Sequence, residues 1–277
     1  MSYYYLIAGL PDLNLNKAID DRGKAKLDTG ELMDTINRNL EPDDLAPFRY
    51  LIYPHDIRNF LTVLYKKHYD IADSAFLSPC LIDKDIIDNY SKHRGDLPPF
   101  MADFLREYED QFTSMTPEEM EEKLWSSYYD QALECDPFVA DYCRFERKVR
   151  QFFAAYNSSL FDFLSNPEFD DPALNHVGVG KSLTSEILRD FPFVEAMEKL
   201  MSNKNPLEID AYSDRVIWNY LEQNVGFFGR EQVYTYTIRL LMVAKWQRRN
   251  SERGEKCFID LQENIKNKVR SQKTAVI

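Results

Sequence analysis

The stretch DPFVADYCRFERKVRQFFAAYN, residues 136–157, decides the fold class. It opens with Asp136 and Pro137, an N-cap residue followed by a proline at the first helical position, which together signal the start of a helix. Apolar side chains then recur at intervals of 4, 3, 4, 3, 1 and 3 residues, and charged residues stand between them. This spacing predicts an amphipathic, core-packed helix of about 20 residues. Its apolar stripe comprises Phe138, Tyr142, Phe145, Val149, Phe152, Phe153 and Tyr156.

Other segments carry similar helix signals. Thr116-Pro117-Glu118-Glu119 is a capping box and predicts a helix running to about residue 133. Apolar residues at helical spacing predict three more helices, one after Pro54, one over about 208–224 and one over about 231–249. The last is apolar almost all round its middle, which predicts burial from more than one side. No stretch of the sequence shows the alternation of apolar and polar residues that is typical of a half-buried strand, and the chain has only 9 glycines. We therefore predict an all-α fold.

Length and composition indicate a folded protein with a sizeable core. The chain has 277 residues, of which 44% are hydrophobic and 14% aromatic, so it is not a disordered protein. The formal net charge is −12, but residues 230–277 carry +6 and the rest carries −18. An acidic body argues against general binding to nucleic acids, which requires a basic face. The basic C-terminal end suits an acidic partner or an anionic membrane surface, or is simply a solvated charged helix.

The four cysteines are scattered and include no C-x-x-C pair: Cys80, Cys135, Cys143 and Cys257. This pattern predicts neither a zinc site nor a disulfide framework, and it favours a reducing compartment. The N-terminus lacks the basic region of a signal peptide, and no apolar stretch approaches 18 residues. We expect a soluble, cytoplasmic protein without a membrane span.

One short motif resembles the end of a phosphate-binding loop, namely Gly178-Val179-Gly180-Lys181-Ser182. The full pattern needs a glycine at position 175, where this chain has Asn175, and a buried strand before it. Residues 165–174 contain two prolines and three acidic residues, which is incompatible with such a strand. We predict that 178–182 is a connecting loop and does not bind a nucleotide.

No other motif predicts catalysis. His55-Asp56 is an isolated His-Asp dipeptide with no histidine before it in the chain. Ser182 and Ser185 have no motif nearby that would supply a general base. The glutamates of 118–122 are typical of the first turns of a helix, where they interact favourably with its dipole. We therefore predict no catalytic residue, no cofactor, no metal and no small-molecule substrate, and we expect that the protein is not an enzyme.

Three helical segments share a pattern in which an arginine interrupts an apolar face. They begin at Ile57, Val149 and Ile238, and their arginines are Arg58, Arg150 and Arg239. The arginines are separated by 92 and 89 residues, and such near-equal spacing indicates related units. We predict one all-helical domain over 1–277 with three units, approximately 1–100, 101–175 and 176–277.

These segments resemble a known family, the C subunit of V/A-type ATPases, which is the d subunit of the eukaryotic vacuolar enzyme. Residues 128–157 resemble the middle repeat of that family, and residues 228–265 resemble its last repeat. PHDIRNFLTVLYKK, residues 54–67, resembles the first repeat, and the opening YYYLIAGLPDL resembles its tyrosine-rich first helix. Each repeat of the family has an Asn/Arg-rich patch, whose asparagine corresponds to Asn59, but Gln151 and Leu240 stand at the other two positions. The chain is similar, more narrowly, to shorter bacterial proteins encoded among V-type ATPase subunits.

The resemblance implies a mechanical function without chemistry. The family's fold is a funnel of three helical units around a pseudo-threefold axis, bound peripherally at the cytoplasmic face of the membrane. It sits on the proteolipid ring, and its socket receives the foot of the central shaft, so that it transmits torque between ATP turnover and ion transport. The last repeat has a helix that ends in basic residues. Arg248, Arg249 and Arg253 are therefore candidates for the partner interface.

Two other interpretations stay open. The chain is alternatively a free-standing helical adaptor or scaffold that binds a soluble partner. An enzyme with an unrecognised helical active site is a third interpretation, and it predicts a deep pocket with clustered titratable groups.

Overall fold

Every regular element in the described part of the chain is helical. The structure, a computed structural model, describes residues 3–21, 27–71, 75–160, 189, 191–202, 205–224 and 229–249. No strand occurs among these residues, so the all-α prediction is confirmed for them. Two short 3-10 helices, Arg94–Asp96 and Glu109–Gln111, accompany the α-helices. The α-helices are α1 (Tyr4–Gly9), α2 (Leu15–Asp20), α3 (Thr29–Asn39), α4 (Pro42–Tyr50), α5 (Tyr53–Tyr69), α6 (Lys84–Asp88), α7 (Pro99–Tyr108), α8 (Pro117–Cys135), α9 (Pro137–Leu160), α10 (Val194–Ser202), α11 (Pro206–Gln223) and α12 (Arg230–Arg248).

The two strongest helix-start signals act as the sequence predicts. At the start of α8, Thr116 Oγ1 accepts a hydrogen bond from the Glu119 N–H at 3.2 Å, and Glu119 Oε2 accepts one from the Thr116 N–H at 2.8 Å. At the start of α9, Asp136 Oδ1 accepts from the backbone N–H groups of Phe138 at 2.9 Å and Val139 at 3.3 Å. These bonds satisfy backbone donors that the first turn of a helix leaves without partners.

Two separate clusters of buried side chains form the core. The first core cluster takes residues from α2 to α9, α11 and α12, and includes Phe60, Phe100 and Trp246. The second core cluster is smaller and lies between the C-terminal half of α9, residues 191–193 and α10, with half-buried residues of α11 against it. Its members are Val149, Phe152, Ala155, Tyr156, Phe191, Phe193, Val194, Met197 and Met201.

Helix α9 belongs to both clusters. Val139 and Cys143 pack in the first core cluster, and Val149 and Phe152 pack in the second. Along the predicted apolar stripe only Val149, Phe152 and Tyr156 are fully buried, and the other four side chains are half-buried. In the first half of α9 the fully buried face is displaced by one residue, to Val139, Ala140 and Cys143. Helix α8 packs against α9, and the Tyr128 hydroxyl of α8 lies 3.5 Å from Cys143 Sγ on this face.

Helix α12, the last described helix, packs against helices near the beginning of the chain. Ten of its side chains are buried, as its apolar composition predicts, and it packs against α2 and α3. Tyr234 donates its hydroxyl hydrogen bond to the Asp44 carbonyl at 2.7 Å, and Tyr236 donates to the Pro11 carbonyl at 3.0 Å. Helices α2 and α3 near the start of the chain and α12 near its end therefore share the first core cluster.

Some predictions concern parts of the chain that the structure does not describe. The 178–182 loop, the proposed unit boundary near residue 175 and Arg253 lie outside the described residues. The division into three related units around a pseudo-threefold axis stays a prediction. None of the described helices combines the length and the hydropathy needed to cross a membrane.

Candidate partner interface

Charged side chains from four helices meet around Arg58 on α5. The charges of Arg150 and Glu146 on α9, Glu121 on α8 and Asp210 on α11 act on its guanidinium. Desolvation by the surrounding protein lowers the pKa of Arg58, the Arg150 charge lowers it further, and the three carboxylates oppose both effects. The Arg58 side chain is nevertheless exposed. Solvent thus reaches Arg58 although protein atoms also desolvate it, and we describe this part of the surface as concave.

Arg150 is the best-partnered cation of this group. Its guanidinium carbon lies 3.8 Å from the centre of the Trp125 ring, which is close cation–π contact. Its Nε lies 3.6 Å from Glu146 Oε1, and its Nη2 lies 3.9 Å from Glu121 Oε1. Desolvation acts to lower the pKa of Arg150, but the charges of Glu146 and Glu121 help to offset it, so that the pKa is raised. Arg150 thus stays charged and is held between α8 and α9.

Two hydroxyl groups orient the carboxylates beside Arg150. Tyr129 donates a short hydrogen bond to Glu146 Oε2. The single hydroxyl hydrogen of Tyr65 is shared between Glu121 Oε2 at 3.3 Å and the Pro117 carbonyl oxygen at 3.1 Å. Burial raises the pKa of both tyrosines, and the neighbouring glutamates raise it further, so both hydroxyls stay protonated donors at neutral pH.

A second group of ion pairs joins α11 to the C-terminal end of α12. Arg249 donates a short hydrogen bond to Asp210, and Lys245 Nζ lies 3.3 Å from Asp210 Oδ1 and 2.9 Å from Asp214 Oδ1. Asp210 is thus paired with Lys245 and Arg249, and its charge also acts on Arg58. We call the group formed by Arg58, Glu121, Glu146, Arg150, Asp210 and Arg249 the charged concave face.

Arg248 lies near this face. It donates a short hydrogen bond to the Ser78 carbonyl, and its charge and that of Arg58 both act on the His55 imidazole. Arg58, Arg150, Arg248 and Arg249, which the sequence indicated for two different reasons, are thus linked by the side chains on which their charges act.

Arg239 does not join the charged concave face. Its guanidinium carbon lies 4.6 Å from the Trp218 ring centre, and Nη2 lies 3.4 Å from Glu222 Oε1. Arg150 and Arg239 thus share one kind of contact, with a tryptophan on the preceding helix, which Arg58 does not make with any described residue. Trp218 and Glu222 also line an open polar cleft of about 440 Å³ beside the start of α2. The equivalence of the three arginines stays a prediction.

His55, Asp56 and Asn59 have a role that sequence reasoning missed. They lie on α5 and bind the backbone of residues 77–82. Asp56 Oδ1 accepts from the Leu81 N–H at 3.1 Å and the Ile82 N–H at 3.0 Å. Asn59 exchanges two hydrogen bonds with Leu77, at 2.7 and 3.0 Å, and the His55 Nδ1 lies 2.7 Å from the Pro79 carbonyl oxygen.

Burial changes the titration of His55 and Asp56 in opposite directions. Desolvation raises the pKa of Asp56 to about 7, against the lowering effect of its backbone hydrogen bonds. Desolvation lowers the pKa of His55 to about 4. The sequence does contain a signal for this role, which is the spacing of the three residues. Positions 55, 56 and 59 place three polar groups on one helix face, which also carries Phe60.

An ionic group that contains two buried carboxylates connects the N-terminal, central and C-terminal parts of the chain. Arg230 at the start of α12 lies 3.0 Å from Asp44 Oδ1 and 2.7 Å from Asp136 Oδ2. Tyr3 also donates to Asp44 Oδ2, at 2.5 Å. Desolvation acts to raise the pKa of Asp44, but the bonds from Tyr3 and Arg230 outweigh it and the pKa is lowered. Arg230 therefore neutralises two carboxylates that the fold removes from water.

Replacing Arg230 with methionine is expected to lower the free energy of unfolding by about 2 kcal/mol, because two buried carboxylates lose their cation. Full burial would cost more, but Arg230 itself is 36% exposed and water reaches the site. Urea denaturation measures the change. The matched control is Arg144→Met, whose ion pair with Asp141 is exposed on both sides and should contribute less than about 0.5 kcal/mol. Equal losses in the two variants would contradict the role given to Arg230.

The described cysteines are poor nucleophiles. Burial raises the pKa of Cys80 to about 11 and that of Cys143 to about 12, so both thiols stay protonated at neutral pH. Within the described residues, no three histidine, cysteine, aspartate or glutamate side chains are grouped closely enough to hold a metal ion. The contacts that the structure shows in the charged concave face are ion pairs, hydrogen bonds and a cation–π contact, which suit recognition of another surface.

Comparison with known proteins identifies a family and no characterised relative. The model of the family described as "Protein of unknown function (DUF2764)" matches residues 1–269. No curated protein and no solved structure matches the chain significantly. Since the match spans nearly the whole sequence, the chain belongs to the DUF2764 family.

Proposed function

We propose that this protein is a non-catalytic coupling subunit of a V/A-type ATPase. In this proposal it links the central shaft to the proteolipid ring at the cytoplasmic face of the membrane during ATP-driven ion transport. The proposal joins the resemblance of residues 54–67, 128–157 and 228–265 to the C subunit of such enzymes with the surface described above.

The observation that carries the proposal is the charged concave face. Side chains from α5, α8, α9, α11 and the end of α12 converge there, so five parts of the chain would share the load applied by a seated partner. Charged contacts also suit a shaft that docks and detaches, because exposed ion pairs form quickly and with little desolvation. The helices behind the face are long and densely packed, which gives a coupling element stiffness.

Reconstitution from purified components tests the proposal. The full chain would be mixed with the shaft subunits and, separately, with the detergent-solubilised proteolipid ring of the same ATPase, and each mixture followed by sedimentation velocity. We expect a complex in both mixtures and a three-component complex when all are combined. Absence of binding to both components would exclude the coupling function.

The alternative function is a free-standing helical adaptor for a soluble partner. The same charged concave face supports it, because charge pairing does not itself require an ATPase. The two functions differ in the membrane fraction. The coupling protein is expected to sediment with ATPase-containing membranes and to leave them when the shaft and ring subunits are deleted, whereas an adaptor is expected in the supernatant in both strains.

A further inference from the structure

The segment of residues 77–82, which we call the brace, touches two helices that carry predicted interface residues. Side chains of α5 bind its backbone from one side. From the other side Arg248, in the last turn of α12, donates a hydrogen bond to the Ser78 carbonyl oxygen of the brace. The brace therefore connects α5 to the basic end of α12, by which we mean Lys245, Arg248 and Arg249.

The contacts with α5 come from side chains that are themselves fixed in the core. Asp56 is 0% exposed and accepts from two backbone N–H groups of the brace, at 3.0 and 3.1 Å. Asn59 is 3% exposed, and its amide group bonds both backbone groups of Leu77, at 2.7 and 3.0 Å. His55 Nδ1 lies 2.7 Å from the Pro79 carbonyl oxygen. Buried polar groups with satisfied hydrogen bonds hold one specific conformation, so the brace has a fixed position on α5.

The basic end of α12 is thus held on two sides. On the side of α11, Lys245 Nζ lies 2.9 Å from Asp214 Oδ1, and Arg249 donates a hydrogen bond to Asp210. On the side of α5, Arg248 bonds the brace. Helix ends usually fray, but contacts on both sides restrict the movement of this one.

We propose that the brace positions the basic end of α12 for its partner, so that Asp56 and Asn59 are positioning residues that act through Arg248. The inference rests on the coupling function proposed above, which makes the shaft the partner. It adds to that function a set of buried side chains behind the interface. It also gives Arg248 the role of holding the helix end, in addition to the partner contact that the sequence predicts for it.

A fixed helix end favours docking because a mobile one has to be ordered on binding. Lysine and arginine side chains have many rotamers in solution, and immobilising them during association lowers the affinity. Side chains that are already held by the protein lose less of this freedom. Residues behind a binding surface therefore contribute to affinity through the support they give to the residues in front.

Amide hydrogen exchange tests the positioning from both ends of the brace. Asn59→Ala removes both bonds to Leu77, and we expect exchange in the last turn of α12, residues 245–248, to become about fivefold faster than in the unmodified protein. Arg248→Met breaks the contact at the other end. It should speed exchange of the Leu81 N–H, which donates to Asp56, by about the same factor, because coupling between two sites is reciprocal.

Binding of the purified shaft tests whether the positioning serves the interface. Asn59→Ala and Arg248→Met are each expected to weaken binding about threefold or more. Adding Asn59→Ala to Arg248→Met should weaken it no further, because the brace is already broken at its other end. The matched control in both measurements is Asn89→Ala on α6. Its exposed amide bonds the Asp85 carbonyl of its own helix, so its loss should change neither exchange in α12 nor binding.

The two measurements separate this inference from the proposed function. If Asn59→Ala leaves exchange in the last turn of α12 unchanged, or raises it equally in α5, α8 and all of α12, Asn59 is not a positioning residue and the inference is wrong. Additive losses of binding in the double variant would show that Asn59 does not act through Arg248. If the unmodified protein binds the shaft and both single variants bind it equally well, the brace does not serve the interface, while the coupling function stands. If exchange changes as expected but the unmodified protein does not bind the shaft, the coupling function fails and only the positioning of the helix end is supported.

Discussion

Replacing Phe152 with alanine is expected to lower the free energy of unfolding by about 4 kcal/mol, since truncating a buried phenylalanine leaves a cavity in addition to losing apolar burial. Phe152 is 0% exposed, and its ring lies 6.0 Å from that of Phe193 and 6.3 Å from that of Tyr156. It therefore contacts two other aromatic members of the second core cluster. Chemical denaturation measures the loss.

The neighbouring phenylalanine provides the control for this experiment. Phe153 lies next to Phe152 on α9 but is only half-buried, so Phe153→Ala should cost about half as much or less. Because the two core clusters are separate, the Phe152 variant should also show faster amide hydrogen exchange in α10 than in α5 or α8. Equal effects of the two substitutions, or uniform exchange over all three helices, would contradict the division into two clusters.

The second large effect is a dependence on pH. The raised pKa of Asp56 means that the folded protein binds a proton at this carboxyl group more tightly than the unfolded chain does. The stabilisation from this group is therefore complete below about pH 4 and is lost as the pH rises through about 7. We expect the wild type to lose about 4 kcal/mol relative to Asp56→Asn over this interval. Asparagine keeps an oxygen that can accept from Leu81 and Ile82 but never ionises.

Comparing the wild type with Asp56→Asn at each pH isolates the contribution of Asp56 to the free energy of unfolding. The lowered pKa of His55 makes the protein less stable as the pH falls from about 6.5 to about 4, but this contribution is common to both proteins and largely cancels. Urea denaturation at pH 4, 5, 6, 7 and about 8 gives the difference directly. Asp88→Asn, which removes an exposed carboxylate from α6, is the control. A difference between wild type and Asp56→Asn that is independent of pH, or that has the opposite sign, would contradict the effect of burial.

The opposing pKa changes of His55 and Asp56 have a consequence for the wild type. As the pH falls from about 6.5 to about 4, His55 destabilises the fold and Asp56 stabilises it, by similar amounts. The segment 77–82, which both side chains hold, is therefore expected to stay bound to α5 over this interval. Its amide exchange, corrected for the intrinsic effect of pH, reports on this expectation.

The helices were predictable because their signals are local. Asp136 and Pro137 mark the start of α9, Thr116 and Glu119 mark the start of α8, and in both places the structure has the hydrogen bonds that these residues predict. The apolar period of α9 was also predictable, but not which part of it would be fully buried. Val139 and Cys143 replace Phe138 and Tyr142 on the buried face because α8 packs on that side.

The candidate interface was predictable only in part. The sequence indicated Arg58 and Arg150 as members of a repeat, and Arg248 and Arg249 as part of a basic helix end. It did not indicate that Asp210 on α11 would act on both groups, because such effects between distant parts of the sequence arise only in the folded chain. Arg239 carries the same local pattern as Arg150 and lies elsewhere, beside Trp218 and Glu222.

By itself, the sequence determined that the described part of this protein is all-helical, where its main helices begin and which of their faces are apolar. Those properties depend on residues within a few turns of each other, through caps, propensities and a period of 3.6 residues. Only the tertiary structure decided which charges stand together. Arg230 and Asp44 are 186 residues apart, and Arg58 has no partner among the described residues, whereas Arg150 has three. A charge takes its partners from whichever helices pack beside it, and its desolvation depends on the shape of the surface around it.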